Sequence, residues 1–386
     1  MQPTKMLEGI KIIDVSSVIF GPYATQMLAD LGADVIKIEP KRGDTPRYMG
    51  KFAKTPYMGG THMTVNRGKK SIVLNLKIDE DAEILRQLLS TADVFVHNVR
   101  GKAIRKLGFG YEAVKAIKPD IIYAHFVGFA QDGPYADLPA YDDVIQAASG
   151  ATSLLPRADG NPAPRYFPSL IADKVAGTYG AQAILAALVH KLRTGEGQQV
   201  EVPMLECFTS FMLTEHLQDG VFDPAIGPMG YPRQIDPARQ PFPTADGHIA
   251  IVPYTEEKII LLFKLLGDSA FLEQQPFDTP MGRFQNMTHI YARIGALTPQ
   301  KTTADWLKIL GENDFPVMVA RDLEDVFDEP HLAATGFFRS REHPTEGTIR
   351  EMRPPVRYSA DPDRTLGFAP TLGQDSEAIR REIESN

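Results

Sequence analysis

Short apolar runs alternate with amphipathic stretches along the first 220 residues. Residues 9–18 and 33–39 are rich in isoleucine and valine, which is typical of buried strands. Between them, Gly21 and Pro22 open a predicted helix that ends near Asp30, because proline fits the first turn of a helix. A strand, a helix and a second strand in this order need a crossover connection. The two strands are therefore expected to run parallel.

The same alternation continues beyond this first unit. Further predicted strands cover residues 71–76, 93–97, 121–127 and 197–202, and further predicted helices cover residues 79–89, 141–148, 172–193 and 204–218. Such a succession indicates an α/β fold with an open, mostly parallel sheet.

The pattern changes after Asp219, and the change predicts two domains. Residues 222–243 are dense in proline and glycine and lack periodicity, as a linker would. A short strand at 248–253, a helix at 256–266 and a helix around Trp306 indicate a smaller α+β domain. The Pro-rich stretch 330–355 is expected to lead back to the first domain. The sequence thus predicts a large domain, 1–220 with 330–386, and a small one, 221–329.

Charge and cysteine content narrow the class of protein. The formal net charge of −8 argues against nucleic acid and anionic membranes as partners, since both attract basic surfaces. Cys207 is the single cysteine, so no intrachain disulfide can form, and a reducing cytoplasm is the expected compartment. The first eight residues lack the apolar segment of a signal peptide. The longest apolar stretch, 181–189, is too short to span a bilayer.

Several common functional motifs are weak or missing. Gly108, Gly110 and Ala113 fit the loose dinucleotide pattern G-x-G-x-x-A, but they follow a basic helical stretch and not a strand, so a turn is expected. The nine histidines show no ligand spacing, and no metal site is predicted. The basic cluster Arg67, Lys69 and Lys70 is either a solvated loop or a contact to phosphates.

Asp173 opens the alanine-rich helix predicted at 172–193. An aspartate at this position ordinarily caps a helix or interacts favourably with its dipole. The alternative is a nucleophile, because a helix N-terminus helps to keep a partly buried carboxylate ionised. The Pro-rich loop at 155–168 could leave a cleft beside it.

Many ordered motifs of the chain resemble a known family, beginning with LADLGADVIKIE at residues 28–39. The matching segments are residues 7–14, 21–23, 28–39, 43–44 with Arg47, 66–72, 74–77, 92–94 with Asn98, 128–129, 133–135, 140–142, 171–173, 193–195 and 197–198. Together they resemble the family III CoA-transferases, which include formyl-CoA and carnitine CoA-transferases. The resemblance is nearly continuous from residue 7 to about 204, weak in the middle and partial at Leu372, Gly373 and Gln374.

The resemblance implies a fold and a site. The fold is a Rossmann-like large domain built from both chain ends, a small middle domain, and two subunits interlocked as a homodimer. Asp173 falls on the catalytic aspartate of the family. The predicted CoA-binding residues are Val18, Arg47, Leu74, Lys77, Asn98, Val99, Lys106, Tyr141 and Asp142. Of these, Lys106 falls near the CoA phosphates, and Tyr141 with Asp142 lies beside the active site.

Some positions depart from the pattern of the formyl-CoA transferases. Ile19 replaces a glutamine that supports the acyl intermediate, Pro40 replaces an arginine and Pro139 replaces a lysine. The glycine-run loop is absent between Gly230 and Gly247. These departures argue against specificity for oxalate and formate.

The implied reaction moves CoA from an acyl-CoA donor to a free carboxylic acid through an anhydride and a CoA thioester on Asp173. CoA and acyl-CoA are substrates, and no permanently bound cofactor or metal is expected. The alternatives are an isomerase like α-methylacyl-CoA racemase and a non-catalytic acyl-CoA-binding protein. The related racemases carry a histidine at the position of Tyr141, and a tyrosine, with a pKa of about 10, is a poor base for that proton transfer.

Overall fold

Six parallel strands form the central sheet of the computed structural model, which describes residues 5–362 and 364–385. They are β1 (Lys11–Asp14), β2 (Asp34–Glu39), β3 (Lys70–Val73), β4 (Val94–His97), β5 (Ile122–Val127) and β6 (Gln198–Pro203). Their order across the sheet is β3-β2-β1-β4-β5-β6, with every neighbouring pair parallel. The predicted α/β class and parallel sheet are confirmed.

The strand order reverses direction between β1 and β4. The connections run from β1 outward to β3 on one side, and from β4 outward to β6 on the other. This is the Rossmann order, in which the loops after the two central strands diverge and leave a crevice at the carboxyl edge of the sheet. Ligands of such sheets bind at this switch point.

The helices cover both faces of the sheet or lie outside it. They are α1 (Phe20–Asp30), α2 (Gly60–Val65), α3 (Asp79–Ser90), α4 (Gly101–Lys106), α5 (Tyr111–Ile117), α6 (Asp142–Ala148), α7 (Leu154–Asp159), α8 (Ile171–Thr194), α9 (Met204–His216), α10 (Glu256–Leu265), α11 (Pro280–Gln285), α12 (Met287–Leu297), α13 (Thr303–Glu312), α14 (Pro330–Ala334) and α15 (Ser376–Ser385). Within the described ranges, none of these helices is long and apolar enough to cross a membrane.

Alternate strand residues enter two separate cores, as the pleat requires. Ile12 and Val94 pack with α1, α8 and α9 on one face, whereas Ile13 and Phe95 pack with α3, α5 and α15 on the other. Because both faces are covered, the strands are apolar on both sides, which is why their sequences read as continuous apolar runs.

Contacts divide the chain into two compact units. Among the described residues, the first contains residues 5–151, Tyr166–Leu213 and those from Ala334 to residue 385. The second contains Thr152–Arg165 and Thr214–Ala333. The domain boundaries predicted from the sequence were 220 and 330, and the pattern gave no sign that 152–165 groups with the second unit.

Each unit has its own smaller sheet. In the first unit, β10 (Phe338–His343) and β11 (Gly347–Met352) form an antiparallel hairpin within the stretch that was expected to be only a Pro-rich connection. In the second unit, β7 (Phe242–Pro243), β8 (His248–Ile251) and β9 (Val317–Val319) form an antiparallel sheet. Its core surrounds Trp306, whose indole N–H donates to the carbonyl of Thr298 at 2.7 Å.

Candidate active site

Asp173 is the third residue of α8 and is only 6% exposed. The first backbone N–H groups of any helix have no partner within the helix, so they need an acceptor from elsewhere. Leu170 precedes α8 and has no side-chain acceptor to offer. The first turn of α8 is therefore capped by a residue distant in sequence.

That residue is Asp142, the first residue of α6. Its Oδ2 accepts a hydrogen bond from the backbone N–H of Asp173 at 3.0 Å, and the residue is 3% exposed. The resemblance had put Asp142 beside the active site, and the structure brings it into direct contact with Asp173. Its negative charge lies at the positive end of the dipole of α8, where an anion is stabilised.

Gln146, one turn further along α6, holds Asp142 in place. Its Nε2 donates to Asp142 Oδ1 at 2.6 Å and lies 3.3 Å from the carbonyl oxygens of Phe167 and Ser169. Its Oε1 accepts from the N–H of Phe167 at 2.8 Å. One buried amide thus joins Asp142 to the loop that leads into α8. Sequence reasoning missed Gln146, although a spacing of four from Asp142 places both on one helix face.

Asp142 affects the environment of the Asp173 carboxyl group. Burial, together with the negative charge of Asp142, raises the pKa of Asp173 to about 7. The sequence had suggested that the helix N-terminus would keep Asp173 ionised. The pKa argues against that expectation, because burial and the charge of Asp142 disfavour the ionised form, and the N–H of Asp173 donates to Asp142.

Two glycines let α8 pack closely against its neighbours. A Cβ at Gly177 would lie 2.9 Å from the carbonyl oxygen of Phe20, and a Cβ at Gly180 would lie 2.4 Å from the ring of Phe126. Residues 173, 177 and 180 share one face of the helix. The face of α8 that carries Asp173 therefore packs directly against the start of α1.

The loop between β1 and α1 lies at the switch point of the sheet. Asn98, which follows β4, accepts a hydrogen bond from the N–H of Ser17 at 2.9 Å and donates to the Ser17 carbonyl at 2.8 Å. Val18 follows Ser17 and has a φ of 67°. Two of the predicted CoA-binding residues, Val18 and Asn98, are thus brought together across the central crevice.

The other predicted CoA-binding residues lie in several parts of the same unit, and Leu74 among them is buried in the core. Leu74 and Lys77 follow β3, and Val99 follows Asn98, so all three lie beyond carboxyl ends of strands. Lys106 is exposed at the end of α4, and Tyr141, 66% exposed, directly precedes α6. Their role in binding CoA stays a prediction.

Arg47 has a fully buried side chain, and its guanidinium group is occupied by other groups of the protein. Its Nε and Nη2 donate to the two carboxylate oxygens of Glu39 at 2.7 and 2.6 Å, and its Nη1 lies 3.3 Å from the carbonyls of Tyr57 and Pro370. This geometry gives Arg47 a structural role and argues against its predicted contact with CoA.

The side chains of the basic cluster at the start of β3 are paired with carboxylates of the protein. Arg67 pairs with Asp30 at 2.6 Å, and Lys69 pairs with Asp14 at 3.2 Å, all four side chains being largely or fully buried. Lys70 forms a more exposed pair with Asp34 at 2.8 Å. The cluster is therefore neither a freely solvated loop nor an unpaired group awaiting phosphates.

Similarity to known proteins identifies the chemistry. The sequence pattern of CoA-transferase family III matches residues 7–376. The chain belongs to CoA-transferase family III. This CoA-transferase is 31% identical to the succinate–glutarate CoA-transferase of Agrobacterium fabrum over 385 residues, covering 98% of this chain and 96% of the relative. It is 30% identical to the human succinyl-CoA:glutarate CoA-transferase over 398 residues, covering 99% of this chain and 87% of the relative.

A solved structure supports the same assignment. Rv3272 from Mycobacterium tuberculosis is similar with a TM-score of 0.84 and 28% identity, covering 98% of this chain and 100% of the other. The family expected from the motifs is thus confirmed, and the protein is an enzyme that transfers CoA. Across the described ranges, no three His, Cys, Asp or Glu side chains come together as a metal site would require.

The raised pKa of Asp173 predicts that Asp173→Asn stabilises the protein at alkaline pH. The pKa of this carboxyl rises from its ordinary 3.8 to about 7, so the folded state binds the proton more tightly than the unfolded state. The contribution of Asp173 to wild-type stability therefore falls as pH rises from about 4 to about 7, and stays reduced above that range. We expect the variant to exceed the wild type by a few kcal/mol at pH 8, on the order of 1–4, and by less at pH 5.

Urea unfolding at both pH values measures this difference. Asp143→Asn is the matched control, because Asp143 is an exposed neighbour on the first turn of α6. Equal stability of Asp173→Asn and wild type at pH 8 would show that the site does not disfavour the ionised carboxylate.

Proposed function

We propose that this family III enzyme transfers CoA through covalent intermediates on Asp173. The observation that carries the proposal is the buried Asp173 carboxyl group, which has a raised pKa and lies at the start of α8 beside Asp142. A carboxylate removed from water is a stronger nucleophile than a hydrated one, since no hydration shell must be displaced. Covalent catalysis of this kind divides one difficult transfer into easier steps.

The first half of the reaction moves CoA onto the enzyme. A carboxylate oxygen of Asp173 attacks the thioester carbonyl carbon, the carbon–sulfur bond breaks, and CoA leaves as its thiolate. The product is a mixed anhydride between Asp173 and the donor acyl group. The thiolate then attacks the Asp173 acyl carbon of the anhydride, which releases the donor acid as a carboxylate and leaves an aspartyl-CoA thioester.

The second half reverses these steps with the acceptor acid. Its carboxylate attacks the aspartyl thioester, expels the CoA thiolate and forms a second anhydride. The thiolate attacks the acceptor acyl carbon, which gives the new acyl-CoA and restores the Asp173 carboxylate. The cycle consumes no net protons or electrons and conserves the energy of the thioester.

We further propose that CoA binds along the carboxyl edge of the sheet, as a substrate and not as a resident cofactor. The contacts would come from Val18, Leu74, Lys77, Asn98, Val99, Lys106, Tyr141 and Asp142. Support comes from the strand order, because the loops after β1 and β4 flank the crevice where Rossmann-like sheets bind nucleotides.

The isomerase alternative lacks a suitable second base. Its histidine is replaced by Tyr141, and the nearest upstream histidine in sequence is His125. The ring of His125 stacks on His97 with centroids 4.4 Å apart, and its Nε2 is hydrogen-bonded to the Val99 carbonyl at 3.1 Å. These contacts hold the imidazole in the sheet, which favours the transferase.

For substrates, we propose dicarboxylic acids with the chain length of succinate and glutarate, together with their CoA thioesters. Two relatives with nearly full-length similarity act, by their names, on succinate or succinyl-CoA and glutarate. A CoA-transfer screen by mass spectrometry tests this, crossing succinyl-CoA, acetyl-CoA and formyl-CoA donors with succinate, glutarate, oxalate and short monocarboxylates. We expect the highest kcat/KM for succinyl-CoA with glutarate. A clear preference for oxalate or for monocarboxylates would contradict the proposed substrate class.

We also propose that the enzyme is a homodimer in the cytoplasm. The family resemblance implies interlocked subunits, and a single cysteine suits a reducing compartment. Light scattering at nanomolar concentration should give twice the chain mass of 42.7 kDa. A stable monomer under these conditions would exclude an interlocked dimer.

Asp173→Asn should abolish turnover while the fold and CoA binding persist. The amide is nearly isosteric with the carboxylate but is a very poor nucleophile, so we expect a loss of at least about 1000-fold in kcat. Incubating the wild type with donor acyl-CoA and hydroxylamine should convert Asp173 to its hydroxamate, detected by peptide mass spectrometry. Asp143→Asn serves as the control for activity, and omission of the donor serves as the control for labelling. Retention of more than a few per cent of activity by Asp173→Asn would refute the covalent mechanism.

A further inference from the structure

The loop between β1 and α1 is hydrogen-bonded at every residue from Ser16 to Val18. The N–H of Ser16 donates to Asp14 Oδ1 at 2.9 Å, and the carbonyl of Ser16 accepts from Lys37 Nζ at 2.8 Å. Asn98 binds both backbone groups of Ser17. A loop held so completely has little freedom to change its conformation.

Val18 has a backbone conformation that a β-branched residue rarely adopts. Its φ of 67° lies in the left-handed region, where the Cβ approaches the backbone too closely and branching at Cβ makes the conflict worse. Such a conformation persists only where surrounding interactions impose it, and strained residues of this kind cluster at functional sites.

The interaction that imposes it comes from Asp44. The N–H of Val18 lies 3.0 and 3.2 Å from the two carboxylate oxygens of Asp44. Asp44 in turn forms an ion pair with Lys37 at 3.0 Å, and the side chains of both residues are at most 3% exposed. Because Lys37 also binds the Ser16 carbonyl, this one buried pair holds both ends of the loop.

The loop adjoins the part of α8 that carries Asp173. Two residues after Val18, the carbonyl of Phe20 packs against Gly177, which lies one turn beyond Asp173 on the same helix face. A shift of the loop would therefore change the surface next to the carboxyl group.

We propose that Lys37 and Asp44 are positioning residues that hold Val18 in its left-handed conformation and so fix the loop on which acyl-CoA binds beside Asp173. This inference rests on the proposed function for the location of acyl-CoA. It assigns a role to a buried ion pair that the reaction itself does not use. Buried ion pairs can often be replaced by apolar side chains with little loss of stability, so stability alone does not explain this one.

A cycle of variants tests the proposal. Lys37→Met/Asp44→Leu removes both charges together, so no unpaired charge stays buried, and it deprives the Val18 N–H of its acceptor. The double substitution is made in the wild-type background and in the Val18→Gly background, because glycine adopts a positive φ without strain.

In the wild-type background we expect kcat/KM for acyl-CoA to fall at least about tenfold, since small misplacements of a binding surface have effects of this size. In the Val18→Gly background we expect the further loss to stay below about threefold.

Two controls accompany the cycle. Lys37→Met/Asp44→Asn keeps a carbonyl acceptor for the Val18 N–H and should recover most of the activity that the leucine pair loses. Arg67→Met/Asp30→Ala removes a different buried pair at the far end of α1. Its effect should be the same in both backgrounds, because that pair does not contact the loop.

Equal losses of kcat/KM in the two backgrounds, or no loss in either, would contradict a role for the Lys37–Asp44 pair in holding Val18. If the leucine pair fails to fold, Val18→Gly must restore folding, and failure in both backgrounds would count against the proposal. The experiment distinguishes failure of this proposal from failure of the proposed function. If Asp173→Asn is inactive but the losses in the two backgrounds are equal, only the positioning role is overturned. If Asp173→Asn is active, the covalent mechanism is overturned.

Discussion

Two carboxyl groups, those of Asp142 and Asp173, lie at the positively polarised first turn of α8, and this turn does not stabilise the negative charge of both. Asp142 accepts the N–H of Asp173 and lies at the positive end of the helix. Asp173 lies within the same turn but is left in a buried environment next to a like charge, and its pKa rises to about 7. The arrangement depends on Gln146, which orients Asp142, and on Gly177 and Gly180, which let α8 approach the sheet and α1 closely.

The carboxyl edge of the sheet contains an unusual number of buried charges. Lys69 with Asp14, Lys37 with Asp44 and Arg47 with Glu39 form three ion pairs whose side chains are almost completely inaccessible. Removing such charges from water is costly, and the attraction within each pair offsets that cost only with good geometry and further hydrogen bonds. The pairs connect strand ends to loops, so they define the conformation of the backbone around the crevice more than they add to stability.

The sequence predicted the strands and the main helices well because the sheet is covered on both faces. Apolar runs such as the one in β5, with 6 residues, are assigned to strands by their short length and their β-branched and aromatic residues. The ends of elements were less predictable. The apolar run at 9–18 suggested a strand up to Val18, yet β1 ends at Asp14, because Asp14 and Lys37 draw the following backbone into a tight loop.

Two kinds of feature could not be read from the chain. The grouping of 152–165 with the second unit depends on contacts between residues distant in sequence. The roles of charged residues depend on their partners. Arg47 was predicted to bind CoA, but its guanidinium group forms a buried ion pair with Glu39. Lys37, a charge between the apolar residues Ile36 and Ile38 of β2, was the available signal that a buried pair lies at this edge.

The unfavourable environment of the Asp173 carboxylate also bears on the energetics of the proposed cycle. Each proposed covalent state, whether anhydride or thioester, replaces the carboxylate charge by a neutral acyl group. Formation of that state relieves both the cost of burial and the repulsion from Asp142, which are the two causes that raise the pKa. The same relief applies to the two anhydrides and to the aspartyl thioester, because all three lack the charge. A site that binds the resting carboxylate poorly therefore lowers every intermediate relative to the free enzyme. It does so without favouring the donor acid over the acceptor, as a freely reversible transfer requires.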